Sequence, residues 1–499
     1  MISLGIDSGT QSTKVIALDA EDGRILASAS KSYTLIAGLP AGHMEQHPKD
    51  WVDAVDSSIL EVLRQLGERK QEVSAIGVSG QQHGFVPLDV KGDVIRPAKL
   101  WCDTSTVEQC RQFEAEFGGS DELIKLSGNP MLPGYTAPKI LWLKQHEPNN
   151  YKALHTVLLP HDYINFFLTG ERTMEYGDAS GTGLMDVRSR KWCEPLVDFI
   201  DPQLADALPT PGSSRRAIGL LRESLRAQWG LEKSPVVSAG GGDNMMGAIG
   251  TGNVAPGVVT VSLGTSGTVF AYSTEAVTDE EGEVAAFCDS TDRWMPLVCT
   301  MNATVATEQI RHTLGWSHQE MESQISSAPV GAGGLGFLPY LNGERTPNLP
   351  SATGVMHGLT TTTMVPAFMA RAVMEGVTMG LGYGLARFRA LGIKPSEIRL
   401  TGGGSKSAIW RQICADVFGA ETVCLKSAEG AALGAAVQAV VACQNAQGKR
   451  IQFKEVCAQL VELDEASRCT PNASNVSTYA RLQERQTETT RKLHAAGVI

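Results

Sequence analysis

The sequence predicts an α/β protein made of two similar halves, each a mixed sheet layered with helices. Three observations predict it. At 499 residues the chain is too long for one hydrophobic core, so two domains of ordinary size are expected. Near the N-terminus, apolar residues alternate as strands do and are followed by a helical pattern and then another strand. After Gly257 the same plan returns, as an ancient duplication would leave it.

In the first half, Ile2, Leu4 and Ile6, then Val15, Ile16 and Leu18, then Ile25, Leu26 and Ala27 form an antiparallel three-strand meander, with Asp22-Gly23 at its second turn. Pro48 opens a helix that carries Trp51, Val55, Ile59, Val62, Leu63 and Leu66 on one face. A buried strand follows over 73–79. In the second half, strands over 258–262 and 268–273 bracket a glycine turn, with a further strand over 294–300 and a helix over 303–313. Glycines and Pro256 interrupt the periodicity over 249–257, so the joint is expected there. The expected domains are 1–250 and 251–445, followed by a helical tail over 446–499 packed on the second domain.

Hydrophobic residues at 42% and charged residues at 19% exclude wholesale disorder and fibrous structure. A formal charge of −11 with no block of Lys and Arg excludes a nucleic-acid partner. The ten cysteines show no Cys-x-x-Cys and no metal-binding spacing, and are read as reduced thiols. No stretch reaches the ~18 apolar residues of a membrane span, and the N-terminus has no signal-peptide pattern. A soluble cytoplasmic protein without a membrane partner is expected.

The chemistry sits in glycine-rich turns. Ile6-Asp7-Ser8-Gly9-Thr10-Gln11-Ser12-Thr13-Lys14 and Val261-Ser262-Leu263-Gly264-Thr265-Ser266-Gly267-Thr268-Val269 read almost as copies: a strand, a Gly-Thr tip and a return strand. One such tip is an ordinary turn. Two suggest a clamp whose bare backbone N–H groups approach the phosphates of a nucleotide, with Gly9, Thr10, Ser12, Thr13 and Lys14 on one jaw and Gly264, Thr265 and Ser266 on the other. Asp7 either caps its turn or holds Mg²⁺ beside the phosphates. In Gly240-Gly241-Gly242-Asp243-Asn244, an acid opens a helix after three glycines. Capping alone explains the acid but not the glycines, which suit a close approach by ligand, so Asp243 is the candidate general base for a substrate hydroxyl. Gly402, Gly403, Gly404 and Ser405 lead a strand into a helix expected from Lys406, a turn on which a base or phosphate can lie. Gln82, His83 and Asp103 form the hydrogen-bonding set that a polyhydroxy substrate requires. The small-residue run 429–436 suits close helix packing. Gly331 to Gly336 fits GxGxxG, but Pro339, Gly343 and Pro347 forbid the helix that must follow, and no Walker loop, GxSxG elbow or HExxH occurs.

With these residues in hand, the chain resembles the FGGY family of carbohydrate kinases, in the sugar kinase, actin and heat-shock chaperone superfamily, and within it the bacterial xylulokinases. The landmarks run from about Ile2 to about Ala436: GIDSGTQSTK, GQQHG, LWCD, GYTAPKILWL, LLPHDYI, GDASGTGLMD, GGGDN, SLGTSGTV, FLPYLNGERTP, LTGGGSKSAIWRQICADVFG and EGAALGAA. The resemblance implies two actin-like (ribonuclease H-like) domains with a central cleft that closes over MgATP and a sugar. It implies Asp243 as catalytic base and Asp7 as the magnesium-side acid, with Asp243 also near the metal, directly or through water. Thr265 and Gly402 to Ser405 match nucleotide contacts, and Gln82, His83, Trp101, Asp103 and Asn244 fall where the sugar is gripped. Glycerol kinases carry an Arg-Glu pair where Gln82-His83 stands, which disfavours glycerol. The expected reaction is phosphorylation of D-xylulose at its 5-hydroxyl by ATP. Ribulose, L-xylulose or an actin-type or chaperone-type ATPase module are the open alternatives, and a homodimer is among the assembly states open to it.

Overall fold

The computed structural model describes residues 1–427 and 429–499, and the chain divides into two compact units. One comprises Met1–Val254, Ser273–Met295 and Glu429–Glu462; the other comprises Ala255–Tyr272, Pro296–Ala428 and Leu463–Ile499. Each is discontinuous in sequence because its helices and edge strands return from distant parts of the chain.

In the first unit the meander forms as its alternation requires: Ile2–Ser8, Ser12–Asp19 and Ile25–Ser32 pair antiparallel in succession. Val73–Gly80 adds parallel to Ile2–Ser8, Val236–Ser238 adds parallel to that, and Ala217–Leu220 closes the edge antiparallel. In the second unit, Val258–Leu263, Gly267–Ala271 and Trp294–Thr300 again pair antiparallel in succession. Glu397–Thr401 then adds parallel to Val258–Leu263, Glu421–Leu425 parallel to that, and Leu463–Cys469 closes antiparallel. The two sheets share one sequence of parallel and antiparallel pairings across their six matching strands and differ in how the chain reaches their edges, and two α/β halves with mixed sheets are the observed architecture.

The helix Pro48–Leu66 has its proline in the first turn and buries Trp51, Val55, Ile59, Val62, Leu63 and Leu66 against the meander. Apolar nearly all round, the helix Gly430–Ala446 is a buried helix on the other face of the first sheet. It packs through glycines. A Cβ on Gly5 or Gly77 would overlap the carbonyl oxygens of Ala432 and Ala435, and one on Gly434 would overlap Met246 O in the neighbouring helix Asp243–Gly250. These contacts are backbone against backbone, so no side chain can yield. From the same helix, buried Gln438 spends its whole amide on the strand end that leads to Asp243. Its Oε1 accepts from Ser238 Oγ (2.7 Å) and Gly240 N (2.9 Å), and its Nε2 donates to Gly240 O (2.8 Å) and Ser214 O (2.9 Å).

One stretch departs from the sequence expectation. The C-terminal stretch is helical over Phe453–Leu460 and Ala473–Ala495, but between them it lays the strand Leu463–Cys469 on the second sheet. That strand is polar because it is an edge, and so lacks the apolar alternation that marks a strand. Tyr479, on the last of these helices, is buried: its hydroxyl donates to Glu375 Oε1 (2.6 Å) on the long helix Pro366–Ala390. The GxGxxG stretch forms no Rossmann helix, only a single turn over Ala332–Gly334 before the strand Gly336–Leu338.

The glycine contacts give the first expected outcome. Gly434→Ala forces a methyl into the Met246 carbonyl and should lower stability by about 1–3 kcal/mol in thermal or denaturant unfolding. Gly430→Ala, on the same helix with open space around it, should be neutral or mildly stabilising. Equal effects at the two positions would contradict the packing described.

Candidate active site

Parallel pairing gathers the candidate residues of the first unit at one end of its sheet, where α/β proteins bind ligands, beyond the carboxyl ends of the strands. Asp7 pairs with Ser79, and Gly241 pairs with Ser79 from the other side. Asp7, the Gln81-Gln82-His83 turn and the Gly242-Asp243 helix start therefore emerge side by side. In the second unit, Ser262 pairs with Thr401, so the tip at Gly264 and the turn at Gly402 emerge together in the same way.

Asp243 is the first residue of its helix and is partly open to solvent. Its Oδ1 accepts from Asn244 N (2.7 Å) and Asn244 Nδ2 (3.0 Å). Asn244 Nδ2 also donates to Gln82 Oε1 (2.6 Å), while buried Gln82 Nε2 has no partner among the described residues. Burial, followed by the charge of Asp7, pushes the Asp243 carboxyl up to about 7, although the Asn244 N–H opposes this. Burial likewise pushes Asp7 up to about 6; the hydrogen bond from Ser79 Oγ to Asp7 Oδ1 (3.0 Å) opposes it, and the Glu429 charge adds to it. Two adjacent carboxylates that resist ionising together, both partly open, are what a divalent cation relieves.

At the first tip, Gly9 N–H closes the turn onto Ser12 O (3.0 Å), leaving Gly9 and Thr10 partly exposed. The Thr10 hydroxyl donates to Gln81 Oε1 (3.2 Å) and accepts from Trp101 Nε1 (3.1 Å), which brings Trp101, 38% exposed, onto the tip. Lys14 is paired with Glu429 (2.5 Å). Thr13 points inward, fully buried, with its hydroxyl on Ser8 Oγ and Tyr33 (3.1 and 3.2 Å), so it does not reach the tip surface. In the second unit, the carbonyls of Gly264 and Thr265 accept the N–H groups of Thr304 (2.9 Å) and Ala303 (3.0 Å), and Thr265 itself is exposed with Ser266 beside it. Gly402 and Gly403 are exposed, Gly404 is buried under Trp410, and Ser405 Oγ folds back onto Gly402 O (2.8 Å). Ser407 caps the helix, which starts at Ala408.

Asp103, expected beside the sugar, is fully buried and already satisfied. It accepts from Met44 N (2.9 Å), Ser105 N (3.0 Å) and Ser105 Oγ (2.5 Å), and pairs with buried Lys99 (3.2 Å). His43, Glu45 and Asp103 present ligand atoms within 4.8 Å of one another, a spacing a metal could use. Lys99 Nζ stands among them, 3.1 Å from Glu45 and 3.2 Å from His43, so an ammonium already supplies the positive charge. The three glycines before Asp243 also have a different reason from the one expected. A Cβ there would strike Ser290 from Gly241 and Gln82 Cγ (2.6 Å) from Gly242, and Gly240 has φ +71°, so protein neighbours rather than ligand exclude side chains. Several neighbours went unread in the sequence: Gln81 and Gln46, which hold the Thr10 tip, Glu429 on Lys14, and the buried Asp178 and His161 behind His83. The last two lie in GDASGTGLMD and LLPHDYI, which stand out as blocks without revealing what they face.

The model of the FGGY family of carbohydrate kinases, N-terminal domain, matches residues 2–250, and that of the C-terminal domain matches residues 259–443. The chain is 40% identical over 488 residues to a xylulose kinase of Haemophilus influenzae, covering 97% of this chain and 98% of that one. To a xylulose kinase of Escherichia coli it is 36% identical, covering 96% and 98%. The crystal structure of ligand-bound xylulose kinase from Lactobacillus acidophilus is similar with a TM-score of 0.90 at 26% identity, covering 99% of this chain and 98% of that one. With both domain models matched in order and two α/β units of one topology beneath them, the chain belongs to the FGGY family of carbohydrate kinases.

Proposed function

We propose that this chain transfers the γ-phosphoryl group of ATP to the 5-hydroxyl of D-xylulose. The observation that carries the reading is Asp243: a partly open carboxyl held near neutrality at a sheet end, beside an amide donor in Gln82 that has no partner among the described residues. A carboxyl near 7 can take the hydroxyl proton at working pH as the phosphoryl group arrives. Asn244 orients Asp243 through two hydrogen bonds, while Gln82 Nε2 offers the sugar a donor, His83 an imidazole nitrogen and Trp101 an aromatic edge. Gly9, Thr10 and Ser12 on one unit, and Gly264, Thr265, Ser266 and Gly402 to Ser405 on the other, supply backbone and hydroxyl donors for the nucleotide. Lys14 can turn from Glu429 towards phosphate charge. Asp103 serves by holding the loop that presents Trp101.

Asp7 and Asp243 are hard oxygen donors whose mutual repulsion favours a cation, which fits Mg²⁺. When bound there, Mg²⁺ supplies positive charge to the phosphate oxygens. The protein's part is positioning and electrostatics, in keeping with phosphoryl transfer generally.

An ADP-coupled assay over D-xylulose, D-ribulose, L-xylulose and glycerol tests the substrate. D-xylulose should give the highest kcat/KM; a faster D-ribulose would overturn the choice of sugar, and ATP turnover indifferent to every sugar would favour an ATPase module. Asp243→Ala should lower kcat by about 10³-fold or more, with nucleotide affinity by calorimetry little changed. Substantial residual transfer would remove Asp243 from its role. In metal-free protein, the raised values of Asp7 and Asp243 contribute stability that is full below about pH 4 and lost as pH rises through about 6 and 7. The melting temperature between pH 4 and pH 8 should therefore decline less in Asp7→Asn than in the wild type, since the variant removes one titration and weakens the other.

A further inference from the structure

His83 holds a left-handed backbone conformation (φ 59°) that residues other than glycine seldom adopt. Its carbonyl oxygen accepts from Lys139 Nζ (2.9 Å) and Thr136 Oγ1 (3.2 Å), and its N–H donates to Asp178 Oδ1 (3.3 Å). The ring lies against Tyr135 and Phe287, with centroids 5.3 and 5.4 Å away, and a Cβ on Gly181 would overlap it. The imidazole is thereby fixed in place, with Nδ1 3.2 Å from the same Asp178 Oδ1. Whatever His83 offers a ligand, it offers through Nε2.

Behind it runs a fully buried chain. Asp178 Oδ2 is 3.3 Å from His161 Nδ1, and His161 Nε2 is 3.0 Å from Asp162 Oδ1. With both acids ionised, a neutral imidazole would turn a bare lone pair on one of them, whereas the imidazolium faces both with N–H groups. Burial would lower the His161 value, but Asp162 and Asp178 hold it well above the ordinary histidine range. Burial would raise Asp178, yet its two imidazole neighbours hold it at about 2. The remaining acid facing this cluster, Glu175, is pushed up to about 7 by burial and is occupied by the N–H groups of Gly177 (2.7 Å) and Asp178 (2.5 Å). Burial pushes Lys139, the cation on the His83 carbonyl, down to about 7.

We propose that Asp178, set between His83 and the buried His161, is a positioning residue that keeps the His83 ring proton on Nδ1, so that Nε2 meets a sugar hydroxyl as an acceptor. The last clause rests on the sugar-kinase reading; the tautomer does not.

The test is ¹⁵N-histidine NMR of the full chain at pH 8, with the His83 signals assigned by their loss in His83→Gln. Protonated Nδ1 and bare Nε2 on His83, together with two protonated nitrogens on His161, are expected. A His83 proton on Nε2 would overturn the proposal whether or not the Asp178 variants fold. In kinetics, Asp178→Ala should raise KM for D-xylulose about tenfold, the loss of one oriented hydrogen bond, while KM for ATP stays within about twofold. Asp178→Asn, which keeps a carbonyl acceptor, should recover most of that loss. Equal losses in the two variants, or a parallel rise in KM for ATP, would reduce Asp178 to a structural role and overturn the proposal. Absence of turnover on every ketopentose would sink the sugar-kinase reading and leave the tautomer measurement to decide this one.

Discussion

The first unit is held at its closest point by backbone, not side chains. The helix Gly430–Ala446 lies on Gly5 and Gly77 of the central strands and against the helix Asp243–Gly250, at separations that leave no room for a Cβ on Gly5, Gly77, Gly250 or Gly434. Such a contact is stiff, because a close-packed backbone cannot relax by rotamer change. Gln438 adds a fully satisfied buried amide at the strand end before Asp243. The position of Asp243 relative to Asp7 follows from these two features, and the pKa shifts of both follow from that position.

The repeated pairing pattern explains why the candidate residues collect where they do. In both units a hairpin strand pairs parallel with the next strand, so a glycine tip and the following turn leave the sheet at the same end. The residues at the two sheet ends differ: an acid pair and an amide, Asp7, Asp243 and Gln82, in the first unit, and open turns at Thr265, Gly402 and Gly403 in the second.

Charge is handled differently at the rim and in the interior. At the sheet end, Asp7 and Asp243 are left without a cation of their own and are raised. Deeper in, Asp103 has Lys99 and Asp178 has His161, whereas buried Glu175 is held by backbone N–H groups and is raised. Unpaired carboxyl groups are costly where water is excluded, and Asp7 and Asp243 are a raised pair that solvent reaches.

The meander, the Pro48 helix, the strand pairs around both Gly-Thr tips and the identity of Asp7 and Asp243 were all legible in the sequence, because they rest on local periodicity and turn chemistry. The polar edge strand Leu463–Cys469 was not, since its stability comes from pairing with Glu421–Leu425 rather than from its own residues. Nor was the fate of Asp103 and Thr13: a polar side chain reads the same whether it meets ligand or a buried partner within the fold. The paired Gly-Thr tips and the acids beside them were determined by sequence alone, since a glycine turn between two strands is a local object. Which acids stay open, which are neutralised by Lys99 or His161, and why three glycines precede Asp243 were decided only by tertiary packing, because those answers depend on neighbours that no spacing encodes.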